Sequence, residues 1–100
     1  MFHKTRREKD MTYRTRTRTE IMSQILRVAN GVGATKTKVM YKVFLNYVQL
    51  KEFLTVLTDS DLLSYDGDTQ IFKTTEKGLR FLQIYNQIDD MIKTSQPPPQ

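Results

Sequence analysis

Arginine alternates with threonine in the stretch TYRTRTRTE, Thr12 to Glu20, and lysines recur at positions 36, 38, 42 and 51. Guanidinium and ammonium groups at this density neutralise phosphate and do little bond-making chemistry. Few other side chains could do such chemistry. The one histidine is His3, and cysteine is absent. Asp59, Asp61, Asp66 and Asp68 miss the spacing of a calcium loop, and Gly31-Val-Gly-Ala34 lacks that of a phosphate-binding loop. Asp89 and Asp90 read as a solvated face. With no nucleophile, acid–base pair or metal-ligating cluster, the residues point away from an enzyme, and no cofactor, metal or small-molecule ligand is expected.

The cations are unevenly distributed. Residues 1–18 hold seven of the 16 Lys/Arg and two of the 11 acids, which accounts for the whole formal charge of +5; residues 19–100 hold nine of each sign. Such asymmetry suits a polyanionic partner, most often nucleic acid, and also suits a solubilising tail. No apolar run approaches the roughly 20 residues of a membrane span, and the charged start lacks the apolar stretch of a secretory signal. The expectation is a soluble cytoplasmic protein with no membrane partner.

Periodicity supplies the elements that must carry these cations. Ile21, Ile25 and Leu26 fall at helical spacing, and Thr17-x-x-Glu20 before them is a capping box. The Arg/Thr alternation is therefore the start of a helix; as a strand it would lack an apolar face. Val39, Met40, Val43 and Phe44 form the stripe of a second, short helix beginning near Thr35 or Thr37. A third helix begins at once. Asn46 and Gln49 make a second capping box, and Leu45 with Leu50 a hydrophobic staple. A break so short forces a sharp turn, the helix-turn-helix unit. Two short runs around Asp66-Gly67 predict a hairpin, and a last helix runs from Thr75 to about Lys93, with Leu79 and Leu82 closing on the core. The fold expected is α+β and mostly helical, a winged helix-turn-helix with three helices, a two-stranded wing and a long C-terminal helix. Its parts would be a basic flexible arm over 1–16, the winged-helix domain over 17–82, a helical extension for dimerisation over 83–93, and a disordered tail over 94–100.

The runs TEIMSQIL, KTKVMYKVFLNYVQLKEFLTVL and FKTTEKGLRFL resemble the archaeal winged helix-turn-helix transcriptional regulators and the related dimeric winged-helix chromatin-type proteins of archaea, over residues 13–92. The resemblance implies DNA binding, groove recognition by the third helix and homodimerisation through the C-terminal helix. Two departures stand out. Asp61 occupies a position where such domains usually carry glycine, and the wing tip DGDT is short and acidic where a DNA-contacting wing is usually basic.

On that frame the candidate contacts fall into groups. In the third helix, about 46–59, Leu50, Leu54 and Leu57 point inward, which turns Val48 and Thr55 outward with Gln49 and Lys51 at the flanks and Tyr47 in the first turn. Lys36, Lys38 and Lys42 would line the backbone beside the groove, and Arg14, Arg16 and Arg18 would follow phosphates from the arm. Phe81, Tyr85, Ile88 and Ile92 form a short coiled-coil seam, with Met91 beside it. The expected partners are double-stranded DNA, on the nucleoid, and a second copy of the chain. The alternative is a protein–protein interaction module within a larger assembly, favoured by the near-neutral body and the acidic wing.

Overall fold

The computed structural model describes residues 16–95, with side chains as far as Ile92. The expected arm up to residue 15, including Arg14, and the tail from residue 96 lie outside the described residues. Among the described residues, four helices and one hairpin follow in order: α1 (Arg18–Val28), α2 (Lys36–Val43), α3 (Tyr47–Asp59), β1 (Leu63–Asp66), β2 (Ile71–Thr74) and α4 (Glu76–Ser95). This is the α+β winged arrangement.

Each helix starts where a short polar side chain can close its first turn. Thr17 Oγ1 accepts from the amide of Glu20 at 3.0 Å, and Glu20 Oε1 accepts from the amide of Thr17 at 2.9 Å. Asn46 and Gln49 repeat the exchange at the head of α3, at 2.8 and 3.1 Å. Thr35, rather than Thr37, caps α2. These reciprocal bonds satisfy amides that a helix start would otherwise leave open.

The junction of α2 and α3 departs from the simple stripe. Phe44 was expected on the buried face, yet it is 69% exposed and its backbone is left-handed, with φ 59 and ψ 54. The helix has already ended at Val43, so the 3.6-residue period no longer governs position 44. A left-handed residue bearing a Cβ costs roughly 1–2 kcal/mol. Opposing that cost, the amides of Phe44 and Leu45 both donate to the carbonyl of Met40. Arg16 adds a guanidinium: Nη1 donates to Val43 O at 2.7 Å and to Gln24 Oε1 at 2.6 Å, and Nη2 to Phe44 O at 3.3 Å. A cation on the last carbonyls of a helix also opposes its dipole favourably. Leu45 then turns inward, buried beside Leu50 in the core.

α3 ends in a Schellman turn. The amide of Leu62 reaches Leu57 O at 2.9 Å and that of Asp61 reaches Thr58 O at 3.1 Å, with Asp61 itself left-handed at φ 65. The aspartate therefore adopts the left-handed conformation, at the position where the resemblance led one to expect glycine. β1 and β2 pair antiparallel with Tyr65 opposite Phe72, and Ala34 adds an isolated bridge to Phe72. Their connection is residues 67–70, and its left-handed residue is Gln70, not Gly67. Thr74 fixes the hairpin to α1: its amide donates to Ala29 O and its hydroxyl to Leu26 O at 2.6 Å.

α4 begins at a three-way joint. The hydroxyl of Thr75 donates to Asp61 O at 2.7 Å and accepts from the amide of Gly78 at 3.0 Å. Leu82 is buried as expected, but Leu79 is 39% exposed, and Phe81 supplies the second contact with the core. The helix is rotated from the expected phase, and it continues to Ser95, so residues 94 and 95 are helical rather than part of a tail.

Two substitutions test this packing. A Cβ on Gly78 would lie inside contact distance of the Leu62 carbonyl and 2.7 Å from Thr74 Cγ2. Alanine favours a helix by about 1 kcal/mol, whereas overpacking costs about 1–3 kcal/mol. Gly78→Ala should therefore lower stability, by about 1 kcal/mol, in urea titrations, where propensity alone would raise it. Arg16→Met removes bonds to an ionised donor, each worth about 1.5–3 kcal/mol when buried, and rehydration of the freed carbonyls offsets part of that. A loss of about 1–2 kcal/mol is expected at an unchanged m-value, and an unshifted midpoint would show that Arg16 does not hold the corner.

Candidate nucleic-acid interface

The outer face of α3 is set by its inner one. Burying Leu50, Phe53, Leu54 and Leu57 turns Val48, Lys51, Glu52 and Thr55 to solvent, with Val48 74% exposed. With Tyr47 these residues line a shallow depression along the helix. An ammonium, hydroxyls and an apolar tip on one protruding ridge can meet phosphates, base edges and a thymine methyl. Gln49 Oε1 is held by the amide of Asn46. Its two-pronged approach to adenine is blocked while that bond persists.

A cleft of about 230 Å³ separates α3 from the wing, lined by Lys36, Lys51, Thr55, Thr58, Tyr65 and Phe72. It brings together Lys36 from the first turn of α2 and Lys51 from α3, two cations that lie apart in the sequence. Tyr65 and Thr58 were not expected here. The hairpin register, which sets Tyr65 opposite Phe72 with ring centroids 4.5 Å apart, was the signal that could have found the tyrosine.

The remaining cations divide. Lys38 is exposed in the first turn of α2. Lys42 lies on the other side of that helix, in a cleft shared with Arg16 and Arg27. Arg18 joins the outer face of α3: Nη1 is 3.1 Å from Glu52 Oε2, and its guanidinium lies 4.8 Å from the Phe53 ring centroid. The ion pair is exposed and weak, so Arg18 can exchange Glu52 for a phosphate. Arg16 is engaged within the fold, on the carbonyls that end α2.

The apolar stripe exposed on α4 keeps Ile88, Met91 and Ile92 of the expected set and has Ile84 in place of Phe81 and Tyr85. Phe81 packs on the domain's own core, and Tyr85 is half-buried with the Arg27 guanidinium 5.8 Å from its ring. Ile88 is 51% exposed, Met91 and Ile92 are also exposed, and Ile84 at 56% extends the stripe by a turn. Ile84 stands four residues before Ile88, a spacing visible in the sequence but masked by beginning the seam at Phe81. Among the described residues no group of three His, Cys, Asp or Glu could hold a metal, and no helix is long and apolar enough to cross a membrane.

No curated protein matches the chain. Among solved structures it is similar to Sso10a-2, a DNA-binding protein from Sulfolobus solfataricus, with 24% identity and a TM-score of 0.58 over 83% of this chain and 100% of that one. The winged helix-turn-helix family model matches residues 15–93, the span that contains both capping boxes, the hairpin and nearly all of α4; the chain belongs to the winged helix-turn-helix family.

Proposed function

We propose that the chain binds double-stranded DNA as a homodimer, with α3 in the major groove, and serves as a transcriptional regulator or chromatin-associated protein on the cytoplasmic nucleoid. The observation that carries this reading is the cleft shared by Lys36 and Lys51, because it opens beside an exposed helix face that also has Arg18 against it. The similarity to a protein described as DNA-binding supports it. Lys36, Lys51, Arg18 and Lys38 would neutralise phosphates, as would Arg14 from the arm; Val48 and Thr55 would face base edges, and Tyr47 would donate to the backbone. Gln49 would remain in its cap, and Lys42 would act at the margin of the footprint.

Dimerisation would use Ile84 and Ile88 of α4, continued by Met91 and Ile92, with Tyr85 at the edge. An exposed apolar stripe on a helix that projects past its own core is favourably covered by a second copy. The acidic wing tip, Asp66 and Asp68, favours a second reading: a protein-interaction module that does not touch DNA.

Salt separates the two readings. Affinity for random duplex should fall steeply between low and moderate salt, with each phosphate contact contributing about 0.9 to the logarithmic slope. Lys51→Ala should weaken binding several-fold and reduce the slope by about that amount; wild-type affinity and slope in this variant would remove α3 from the interface, and salt-insensitive or absent binding would favour the interaction module. For the dimer, Ile88→Asp should sediment as a monomer at concentrations where the wild type is dimeric, and an unchanged dimer would move the contact off α4.

A further inference from the structure

A second cleft, of about 480 Å³, opens between α1 and the end of α2, away from the cleft beside the wing. Among the described residues three cations line it: Arg27 from α1, Arg16 just ahead of its Thr17 cap, and Lys42 from α2. The one carboxylate there among the described residues, Glu20, is engaged through Oε1 by the amide of Thr17. Val28 and Val43 form an apolar floor, and Phe44 forms one wall. Cleft volumes of roughly 300–1,000 Å³, largely apolar with a few polar groups, suit small molecules. Here the polar groups carry an excess of positive charge, so the fitting ligand is an anion with an apolar body.

Arg16 links this cleft to the corner of the fold. Three of its five N–H groups are used, on Gln24, Val43 and Phe44, but its Nε is buried with no acceptor among the described residues. Such an orphaned donor is unfavourable. A carboxylate can take two N–H groups along one edge of a guanidinium, and it brings a full opposite charge that the carbonyls lack. Because Nε is buried, a carboxylate entering the cleft reaches it by turning the guanidinium outward, at the expense of Val43 O and Phe44 O. Those are the carbonyls immediately ahead of the α3 cap at Asn46.

We propose that the cleft lined by Arg16, Arg27 and Lys42 binds a small amphipathic carboxylate, and that binding loosens the α2–α3 corner. The apolar body would lie on Val28 and Val43, Arg27 and Lys42 would attract the charge, and Arg16 would exchange backbone carbonyls for the ligand. On the reading that α3 docks on a duplex, the ligand would act as an effector that lowers DNA affinity.

The test is a titration of the full chain with phenylacetate, followed in proton–nitrogen correlation spectra and repeated with 2-phenylethanol and with acetate. The spectra are recorded without DNA, so their outcome is independent of whether the chain binds a duplex. Phenylacetate should give saturable shifts at the amides of Val28, Val43, Phe44 and Asn46 and at the Nε–H of Arg16. It should bind at least ten-fold tighter than either control. Arg27→Gln should weaken it at least five-fold, and Lys42→Gln should do so as well, which keeps the test decisive should one variant fold poorly. Equal binding of acetate or 2-phenylethanol, non-saturating shifts, or unchanged affinity in a folded variant would each overturn the site. Saturable shifts at Val28 that leave Phe44, Asn46 and the Arg16 side chain unmoved would overturn the link to the corner.

Discussion

The left-handed turn at Phe44 is the constraint from which the rest of the molecule follows. A phenylalanine does not adopt this backbone readily, and helix propensity would carry α2 onward. Three effects hold it: two amides share Met40 O, Arg16 takes the carbonyls of Val43 and Phe44, and Leu45 gains a place in the core. The Asn46 cap then restarts the chain as α3 in a new direction. If α2 ran straight on, Lys51 would share no cleft with Lys36, and Leu50 would lose its place beside Leu45 and Val43.

Much of this was legible in the sequence because it is local. Both capping boxes span three residues, and the staple between Leu45 and Leu50 spans five, so residue type and spacing suffice to read them. The left-handed Asp61 was legible only through the resemblance, which leads one to expect glycine at that position. What was not legible is decided by tertiary partners. Nothing separates Arg14, Arg16 and Arg18 in an alternating run, yet Arg16 reaches a carbonyl 27 residues away while Arg18 reaches Glu52. Phe44 continues the apolar stripe in sequence but follows the end of the helix. The exchange of Leu79 for Phe81 is a rotation of α4, set by the close approach of Gly78 to Leu62. The TEKG run marked this place in the sequence without revealing that its glycine is there to admit a neighbouring carbonyl.

The wing is better understood through its stem than through its tip. Its acidic turn carries Asp68 N on Asp66 Oδ1 at 3.0 Å and projects charge of the sign that a phosphate avoids. The stem, by contrast, is bound to α1 through Thr74, bridged to Ala34, and lines the cleft with Tyr65 and Phe72. The hairpin thereby contributes a wall for Lys36 and Lys51, a positional role that does not depend on the charge of the turn.

The joint at Thr75 has a metrical consequence. One hydroxyl clamps the root of α4 to the turn that ends α3, so the axis of α4 inherits its bearing from α3. From there to Ile84 the helix advances about 1.5 Å and turns about 100° with every residue. In the proposed homodimer the separation of the two reading helices is thus a whole-number property of the chain. One residue inserted into this span would swing the isoleucines to the wrong side, whereas seven would nearly restore their azimuth and push the subunits apart by about two pitches. On that proposal, discrete steps in the length of α4 would alter the interval between the two copies of α3 and leave their outer faces untouched.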